Sequence, residues 1–224
     1  MKDKLQQAIT AMQNNKLDKA AALFAEIIEE HPNDPVGYTN FGNFLLHIQD
    51  AERAQRFFER AIELDPQAAT AHYGLGNLYY EQSLYAKAQK HLQTAIKYGL
   101  MEADTYYLLG MTLQHQEYYK LALPYLLRAV ELNPDDEEFL FQYGLSLAQC
   151  EHLKEAEGIF YKVLQKNDNH SDAYYNLGVI ALYNEQLEKA LELFGEALRI
   201  QPDHVLAANG RKRVTAFLHM IDSK

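Results

Sequence analysis

The sequence has little of what secreted, membrane-bound or metal-dependent proteins rely on. Its 224 residues include one cysteine, Cys150, which excludes an internal disulfide and a cysteine-based metal cluster. No run approaches the ~20 apolar residues of a membrane helix, and the opening MKDKLQQAIT lacks the apolar segment of a signal peptide. We therefore expect a cytoplasmic protein with no membrane segment, in which Cys150 is a reduced and structurally passive thiol.

Positive charge is also scarce. Lysine and arginine number 21 against 31 aspartate and glutamate residues, which gives a net charge of −10. Such a field repels the phosphate backbone of nucleic acids. The cluster Arg211, Lys212 and Arg213 is an exception, and three basic residues on a terminal helix are typical of its solvated face. The composition therefore argues against nucleic-acid binding.

Motifs for catalysis are missing as well. The nine histidines are scattered over unrelated positions, and none stands with another ligand type at metal-binding spacing on one helix face. His47 and His115 share an equivalent position, but solvated side chains at the edge of a groove explain them more simply. No glycine-rich phosphate loop occurs. We predict no catalytic residue, no cofactor and no metal, and hence no enzyme.

What the sequence has instead is a 34-residue period. The alanine column contains Ala20, Ala54, Ala88, Ala122, Ala156 and Ala190. The glycine column contains Gly42, Gly76, Gly110, Gly144 and Gly178. A column of large apolar residues contains Phe24, Phe58, Leu92, Leu126, Phe160 and Phe194. Prolines at the same step are Pro32, Pro66, Pro134 and Pro202. An unbroken register of this kind indicates a repeat array.

The spacing within each repeat predicts two helices. In the second repeat, Tyr38, Phe41 and Leu45 recur at helical spacing, and a second apolar stripe from Ala54 to Ile62 follows a polar turn. Glycine in a helix costs ~1 kcal/mol relative to alanine. The glycine column therefore indicates a packing requirement, which we assign to a close approach of the two helix backbones.

These columns resemble the tetratricopeptide repeat. That motif has a Leu-Gly pair at positions 7 and 8, alanine at 20, an aromatic residue at 24 and proline at 32, and the sixth repeat carries Leu177, Gly178, Ala190, Phe194 and Pro202. The resemblance implies an all-α fold, a right-handed α-α superhelix of six helical hairpins with a C-terminal capping helix. It also implies one domain over residues 1–224. The repeats are then 1–34, 35–68, 69–102, 103–136, 137–170 and 171–204, and the capping helix is 205–224.

Departures from the motif predict how the array begins and ends. Lys4, Gln7 and Ala8 replace the large residue, leucine and glycine of the first helix, so we expect the first repeat to be a polar cap. Gly99 stands near the end of the third repeat, which lacks the usual Asp-Pro stop, and predicts a glycine C-cap. The capping helix has an apolar stripe that should cover the last hairpin. This stripe consists of Leu206, Gly210, Val214, Phe217, Leu218 and Ile221.

The resemblance places a binding surface on the first helix of each repeat, at positions 2, 5, 6, 9, 12 and 13. Aromatic residues recur at position 5, with amides nearby. Rings supply contact area, and amides can bond to the backbone of an extended peptide, although an average repeat of the family carries the same types at these positions. The predicted peptide-binding groove comprises Asn40, Asn43, Tyr73, Asn77, Tyr80, Tyr107, Met111, Gln114, Phe141, Gln142, Leu145, Tyr175 and Asn176.

Charge narrows the choice of partner. None of the groove positions in repeats two to six is lysine or arginine, whereas Glu81, Asp104, Glu138 and Asp172 add negative charge. The chaperone-tail binders of the family clamp a carboxylate with basic residues, so that role is disfavoured. We predict a non-enzymatic scaffold, monomeric, that binds an apolar or basic peptide or a partner helix in a concave groove. The alternative is a structural protein that assembles into homo-oligomers without a separate ligand.

Overall fold

The computed structural model describes residues 2–222, and the side chains of residues 2–220. Thirteen α-helices and no strand occur in this part of the chain. In order they are α1 (Lys2–Gln13), α2 (Leu17–Glu30), α3 (Pro35–His47), α4 (Ala51–Leu64), α5 (Ala69–Glu81), α6 (Tyr85–Lys97), α7 (Ala103–Gln114), α8 (Tyr119–Leu132), α9 (Glu137–Gln149), α10 (Leu153–Lys166), α11 (Ser171–Tyr183), α12 (Leu187–Ile200) and α13 (Val205–Asp222). This is the number of helices predicted for six hairpins and a terminal helix.

The helices belong to two compact units, residues 1–117 with α1 to α7 and residues 118–224 with α8 to α13. We call them the N-terminal and the C-terminal unit. In the N-terminal unit the most extensive packing joins α5 to α6 and α3 to α4, and in the C-terminal unit it joins α11 to α12 and α9 to α10. These pairs are the hairpins that the 34-residue period predicts.

Four glycines of the column, Gly42, Gly76, Gly144 and Gly178, each receive a side chain from the second helix of the same repeat. A Cβ atom on Gly42 would lie 2.6 Å from Phe58 Cε1, one on Gly76 would lie 2.7 Å from Leu92 Cδ2, and one on Gly178 would lie 2.6 Å from Phe194 Cε1. The prediction of a packing requirement is confirmed, but its cause differs from the one predicted. A large side chain at position 24, rather than the partner's backbone, occupies the space that glycine leaves.

The turn between the two helices of each repeat uses a left-handed residue. Position 15 of all six repeats has φ between 55° and 63°. These residues are Asn15, Gln49, Ser83, Glu117, Glu151 and Glu185. None is glycine, although the left-handed region is unfavourable for residues with a Cβ atom. A polar turn was predicted here, but its left-handed conformation was not, because only Asn15 is a residue type that signals it.

The glycine cap predicted after the third repeat is confirmed. Gly99 has φ of +97°, and its N–H donates to Ile96 O at 3.0 Å. The N–H of Leu100 donates to Ala95 O at 3.0 Å. These two bonds satisfy carbonyl groups at the end of α6, as a left-handed C-cap does.

The first repeat has a partly polar outer surface, as predicted. Lys4 forms ion pairs with Glu26 and Glu30 of α2, at 3.0 and 2.5 Å, and Gln7 is exposed. Ala8 is fully buried, at the position that glycine occupies in later repeats. A methyl group therefore fits in this repeat at the place where most others have none.

The capping helix α13 covers the last hairpin with a narrower face than the sequence predicts. Val214 is 1% exposed, Leu218 packs against the same core, and a Cβ atom on Gly210 would lie 2.8 Å from Phe194 Cζ. Leu206 and Phe217 were predicted to be covered, and this is wrong, because they are 56% and 49% exposed. The side chain of Ile221 lies outside the described residues.

Candidate functional site

The predicted groove residues of the N-terminal unit all reach the surface. Asn43 is exposed and the others are half-buried. They are Asn40 and Asn43 on α3, Tyr73, Asn77 and Tyr80 on α5, and Tyr107, Met111 and Gln114 on α7. Because α3 packs on α5 and α5 on α7, the structure brings these residues onto neighbouring first helices. Each of them is at least partly accessible to solvent.

The C-terminal unit presents a smaller set. Gln142 and Leu145 on α9, and Tyr175 and Asn176 on α11, are half-buried, whereas Phe141 is only 8% exposed. The ring of Phe141 lies 5.8 Å from that of Phe160 and 4.5 Å from that of His170. Phe141 is thus mainly part of the core.

Two histidines pack against the aromatic residues at position 5 of the fifth and sixth repeats. His170 and His204 both stand at position 34, directly before α11 and α13, and their Nδ1 atoms accept from the N–H groups of Ala173 and Ala207 at 3.2 Å. The ring of Tyr175 lies 5.2 Å from His204, as Phe141 lies next to His170. Each histidine therefore caps a helix and packs on the aromatic residue of its own repeat.

This arrangement corrects the view that the histidines occupy unrelated positions. His170 and His204 are 34 residues apart, so the period itself could have revealed them. The Nδ1 atom of His204 accepts a hydrogen bond, which leaves the proton on Nε2, and that atom lies 3.1 Å from Asp172 Oδ1. The Asp172 carboxylate, predicted to add charge to the groove, therefore has a partner within the chain.

Amide side chains on the first helices keep capacity for further hydrogen bonds. The Nδ2 group of Asn40 donates to Val36 O at 2.8 Å, and that of Asn176, at the same repeat position, donates to Asp172 O at 2.7 Å. Asn77 Nδ2 lies 3.3 Å from Glu81 Oε1. Each bond uses one N–H of an amide that has two donors and a carbonyl acceptor. The remaining groups are of the kind that bonds to a peptide backbone.

Tyr80, Tyr85 and His115 form an aromatic cluster in the N-terminal unit. The hydroxyl of Tyr80 lies 3.1 Å from His115 Nε2, and the His115 ring stacks on Tyr85 with centroids 4.7 Å apart. Tyr80 is therefore held in place rather than free to rotate.

Burial raises the pKa of Tyr73, and the Asp104 and Glu102 carboxylates add to this effect, so the hydroxyl of Tyr73 stays protonated at neutral pH.

A second histidine pair lies between α5 and α6. His72 Nε2 is 3.2 Å from Pro66 O, and His72 Nδ1 is 3.1 Å from His91 Nδ1. The carbonyl can only accept, so His72 carries its proton on Nε2, and His91 donates from Nδ1. His72 is then neutral, and burial, which lowers the pKa of His91 to about 4, keeps His91 neutral at pH 7. This pair has no signature in the sequence, because its members come from different helices, at positions 4 and 23.

Acid should destabilise the protein through this pair. Burial lowers the pKa of His91 to about 4 from 6.5, with His72 and Lys90 acting in the same direction and Glu59 against it, and burial also lowers the pKa of His72. Between about pH 6.5 and 4 the unfolded chain binds protons that the folded chain does not, so stability is complete above this window and is lost as the pH falls through it. We expect a loss of about 1 to 2 kcal/mol by pH 5, allowing for partial exposure.

Urea unfolding at about pH 7.5 and about pH 5 tests this expectation. The loss should be smaller in His91→Gln, which has no imidazole to protonate. His47→Gln, at an exposed histidine, should behave like the wild type. An equal loss in all three proteins would show that other groups cause the pH dependence.

No cluster of three or more metal-ligating side chains occurs among the described residues. The helices of residues 2–222 also include none that is both long and apolar enough to span a bilayer.

Comparison with protein-family models covers nearly the whole chain. Models described as tetratricopeptide repeat match residues 4–34, 37–68, 73–137, 107–171 and 171–204, and one described as TPR repeat matches 56–83. A search of curated proteins finds no match.

Solved structures show the same fold. The crystal structure of YrrB, described as a TPR protein with an unusual peptide-binding site, is 45% identical, covers 86% of this chain and 100% of its own, and has a TM-score of 0.84. PilF of Pseudomonas aeruginosa is 14% identical, with coverage of 95% and 96% and a TM-score of 0.78. MamA is 21% identical, with coverage of 73% and 96% and a TM-score of 0.67. The predicted all-α solenoid class is confirmed, and the chain belongs to the tetratricopeptide repeat family.

Proposed function

We propose that this protein is a non-enzymatic scaffold that binds an extended peptide or a partner helix on the surface that the first helices of the repeats form within each unit. Proteins of this family mediate protein–protein interaction. The observation that carries the proposal is the recurrence of partly exposed amides beside aromatic rings at equivalent positions of successive repeats. YrrB, which is 45% identical, is described as having a peptide-binding site.

Charge favours an apolar or basic segment on the first helices of each unit, α3, α5 and α7 in the N-terminal unit and α9 and α11 in the C-terminal unit. Glu81, Asp104 and Glu138 are exposed on these first helices, and their groove positions carry no lysine or arginine. Opposite charges across an interface favour encounter, and like charges oppose it. Cytoplasmic location and a monomeric state stay predictions from the sequence.

The amides at position 9 provide a direct test. Asn43 and Asn77 occupy this position on α3 and α5, and both reach the surface. We would screen an array of random 12-residue peptides with the biotin-labelled protein, and measure the affinity of the strongest ones by fluorescence anisotropy. The double variant Asn43→Ala, Asn77→Ala should bind these peptides about tenfold more weakly, because two backbone-bonding groups are lost.

A matched control removes two amides from second helices. Gln93 on α6 and Gln165 on α10 are exposed, and their replacement by alanine should leave affinity unchanged. Equal losses in both double variants, or an array that retains no peptide, would contradict the proposal. Light scattering of the same samples tests the alternative, since stable oligomers that retain no peptide would favour self-assembly.

A further inference from the structure

The capping helix continues the register of the first helices. If residue 205 is counted as position 1, then Ala207, Gly210 and Val214 fall at positions 3, 6 and 10. The first two are packed against the last hairpin as Ala71 and Gly74 of α5 are packed against the hairpin before them. A Cβ atom on Gly210 would meet Phe194 at 2.8 Å, and one on Gly74 would meet Phe58 at 2.5 Å. Thus α13 occupies the place of a first helix in a seventh repeat.

This register assigns a repeat position to each exposed residue of α13. In complete repeats, position 8 faces the second helix of the same repeat, as the contact of Gly76 with Leu92 shows. The equivalent residue of α13 is Lys212, next to Arg211 at position 7, and both are exposed. Two charged side chains therefore solvate the face that a further helix would otherwise cover. This face is a polar end of the array.

The groove positions of α13 have a different character. Positions 2, 9 and 13 are Leu206, Arg213 and Phe217, and all three are exposed. Arg213 makes no ion pair or hydrogen bond with the described residues. It is the only cation at groove positions of α3, α5, α7, α9, α11 and α13. Leu206 and Phe217, which were predicted to be covered, thus stand at groove positions of α13.

Phe217 borders an apolar cleft between α13 and the preceding hairpin. The cleft has a volume of about 730 Å³, and its walls include Leu182, Leu187, Val214 and Phe217, with Arg213 and Glu185 also lining it. Tyr183, near it on α11, is 72% exposed. A cleft of this size has room for one large side chain. Its two charged residues do not pair with each other among the described contacts, so Arg213 can bind a carboxylate of a ligand.

We propose that this cleft is the terminal subsite of the binding surface on the C-terminal unit and takes a peptide segment in which a large apolar residue stands beside an aspartate or glutamate. The apolar side chain enters between Leu187 and Phe217, and the carboxylate pairs with the Arg213 guanidinium, whose planar donors suit that group. The inference rests on the proposed function and deepens it. Glu138 on α9 and Arg213 on α13 have opposite charges, so a bound segment has its acidic residue at the α13 end.

A peptide array with fixed central pairs tests this subsite. Each acetylated and amidated nonapeptide has phenylalanine, leucine or alanine at its centre, followed by glutamate, glutamine or lysine, with random flanking residues. The wild type should retain the phenylalanine–glutamate and leucine–glutamate peptides about tenfold better than their lysine counterparts. Phe217→Ala should reduce their retention about tenfold, and Arg213→Glu should reverse the preference to lysine.

The neighbouring cation supplies the matched control. Lys212→Glu makes the same change of charge one residue away, on the polar end face, and should leave the preference for glutamate intact. Phe217→Ala and Arg213→Glu alter exposed side chains, so their thermal unfolding should match that of the wild type. A preference that Arg213→Glu does not change, or that Lys212→Glu changes equally, overturns the inference.

The outcome also separates this inference from the proposed function. If peptides bind and lose affinity in the double variant of Asn43 and Asn77 but not in Arg213→Glu or Phe217→Ala, the surface binds peptides and the terminal subsite is wrong. If no peptide on either array is retained, the proposed function itself fails.

Discussion

A single methyl group at Gly178 is expected to lower the free energy of unfolding by about 2 to 3 kcal/mol. In Gly178→Ala the new Cβ atom would lie 2.6 Å from Cε1 of Phe194. The ring cannot move aside easily, because it is 1% exposed and Gly210 of α13 packs against its opposite part. Alanine has the better helix propensity by ~1 kcal/mol, so the observed loss is what remains after that gain.

Gly158 offers the same substitution without the clash. It lies within α10, and a Cβ atom there would have no neighbour within 4 Å. Gly158→Ala should therefore raise the free energy of unfolding by about 0.5 to 1 kcal/mol. Urea unfolding of the two variants should give changes of opposite sign. A stabilised Gly178→Ala would show that the Phe194 ring has room to shift.

A charge buried under the capping helix should have an even larger effect. Val214 is 1% exposed and packs in the core that includes Leu177, Phe194 and Ala207. Val214→Asp is expected to cost about 3 kcal/mol or more at neutral pH, because a carboxylate there has no partner. Because stability in repeat arrays is a sum of local terms, hydrogen exchange should accelerate first in α11, α12 and α13.

Thr215→Asp is the control for added charge on the same helix. Thr215 is exposed, and its hydroxyl donates only to Arg211 O, at 2.9 Å. We expect a change within about 0.5 kcal/mol. If both aspartate variants were equally stable, α13 would not be docked as described. Equal acceleration of exchange throughout both units would contradict the local nature of the effect.

Much of this fold could be predicted because the period constrains every repeat at once. Gly178 and Phe194 recur at the same position in most repeats, and this recurrence predicts that they pack in the core before any contact is known. The residues of the capping helix were not assigned to such columns, so the sequence does not show which of its apolar residues are packed. Helical spacing groups Leu206 and Phe217 with Val214, but only a narrow face of α13 meets α12, so the flanking apolar residues stay exposed.

The candidate site was harder to predict than the fold. The repeat positions known for the family predict which side of each first helix carries the site. They do not predict how much of each aromatic ring is exposed to solvent. Phe141 and Tyr175 occupy the same position and each packs on a histidine and a phenylalanine, yet Phe141 is buried while Tyr175 stays half-buried. Contacts between different helices, such as His72 with His91, leave no spacing signal on either helix. They become visible only when the hairpin is folded.

The left-handed turn residues have a consequence for how this array could be made more durable. Each of Gln49, Ser83, Glu151 and Glu185 holds a backbone conformation that glycine or asparagine adopts at lower cost. The same small conformational cost therefore recurs in successive repeats. These turn residues lie outside the first helices, which carry the amides and aromatic rings of the proposed binding surface. Substitutions at these turns are therefore expected to raise thermal stability without changing the side chains of the proposed binding surface.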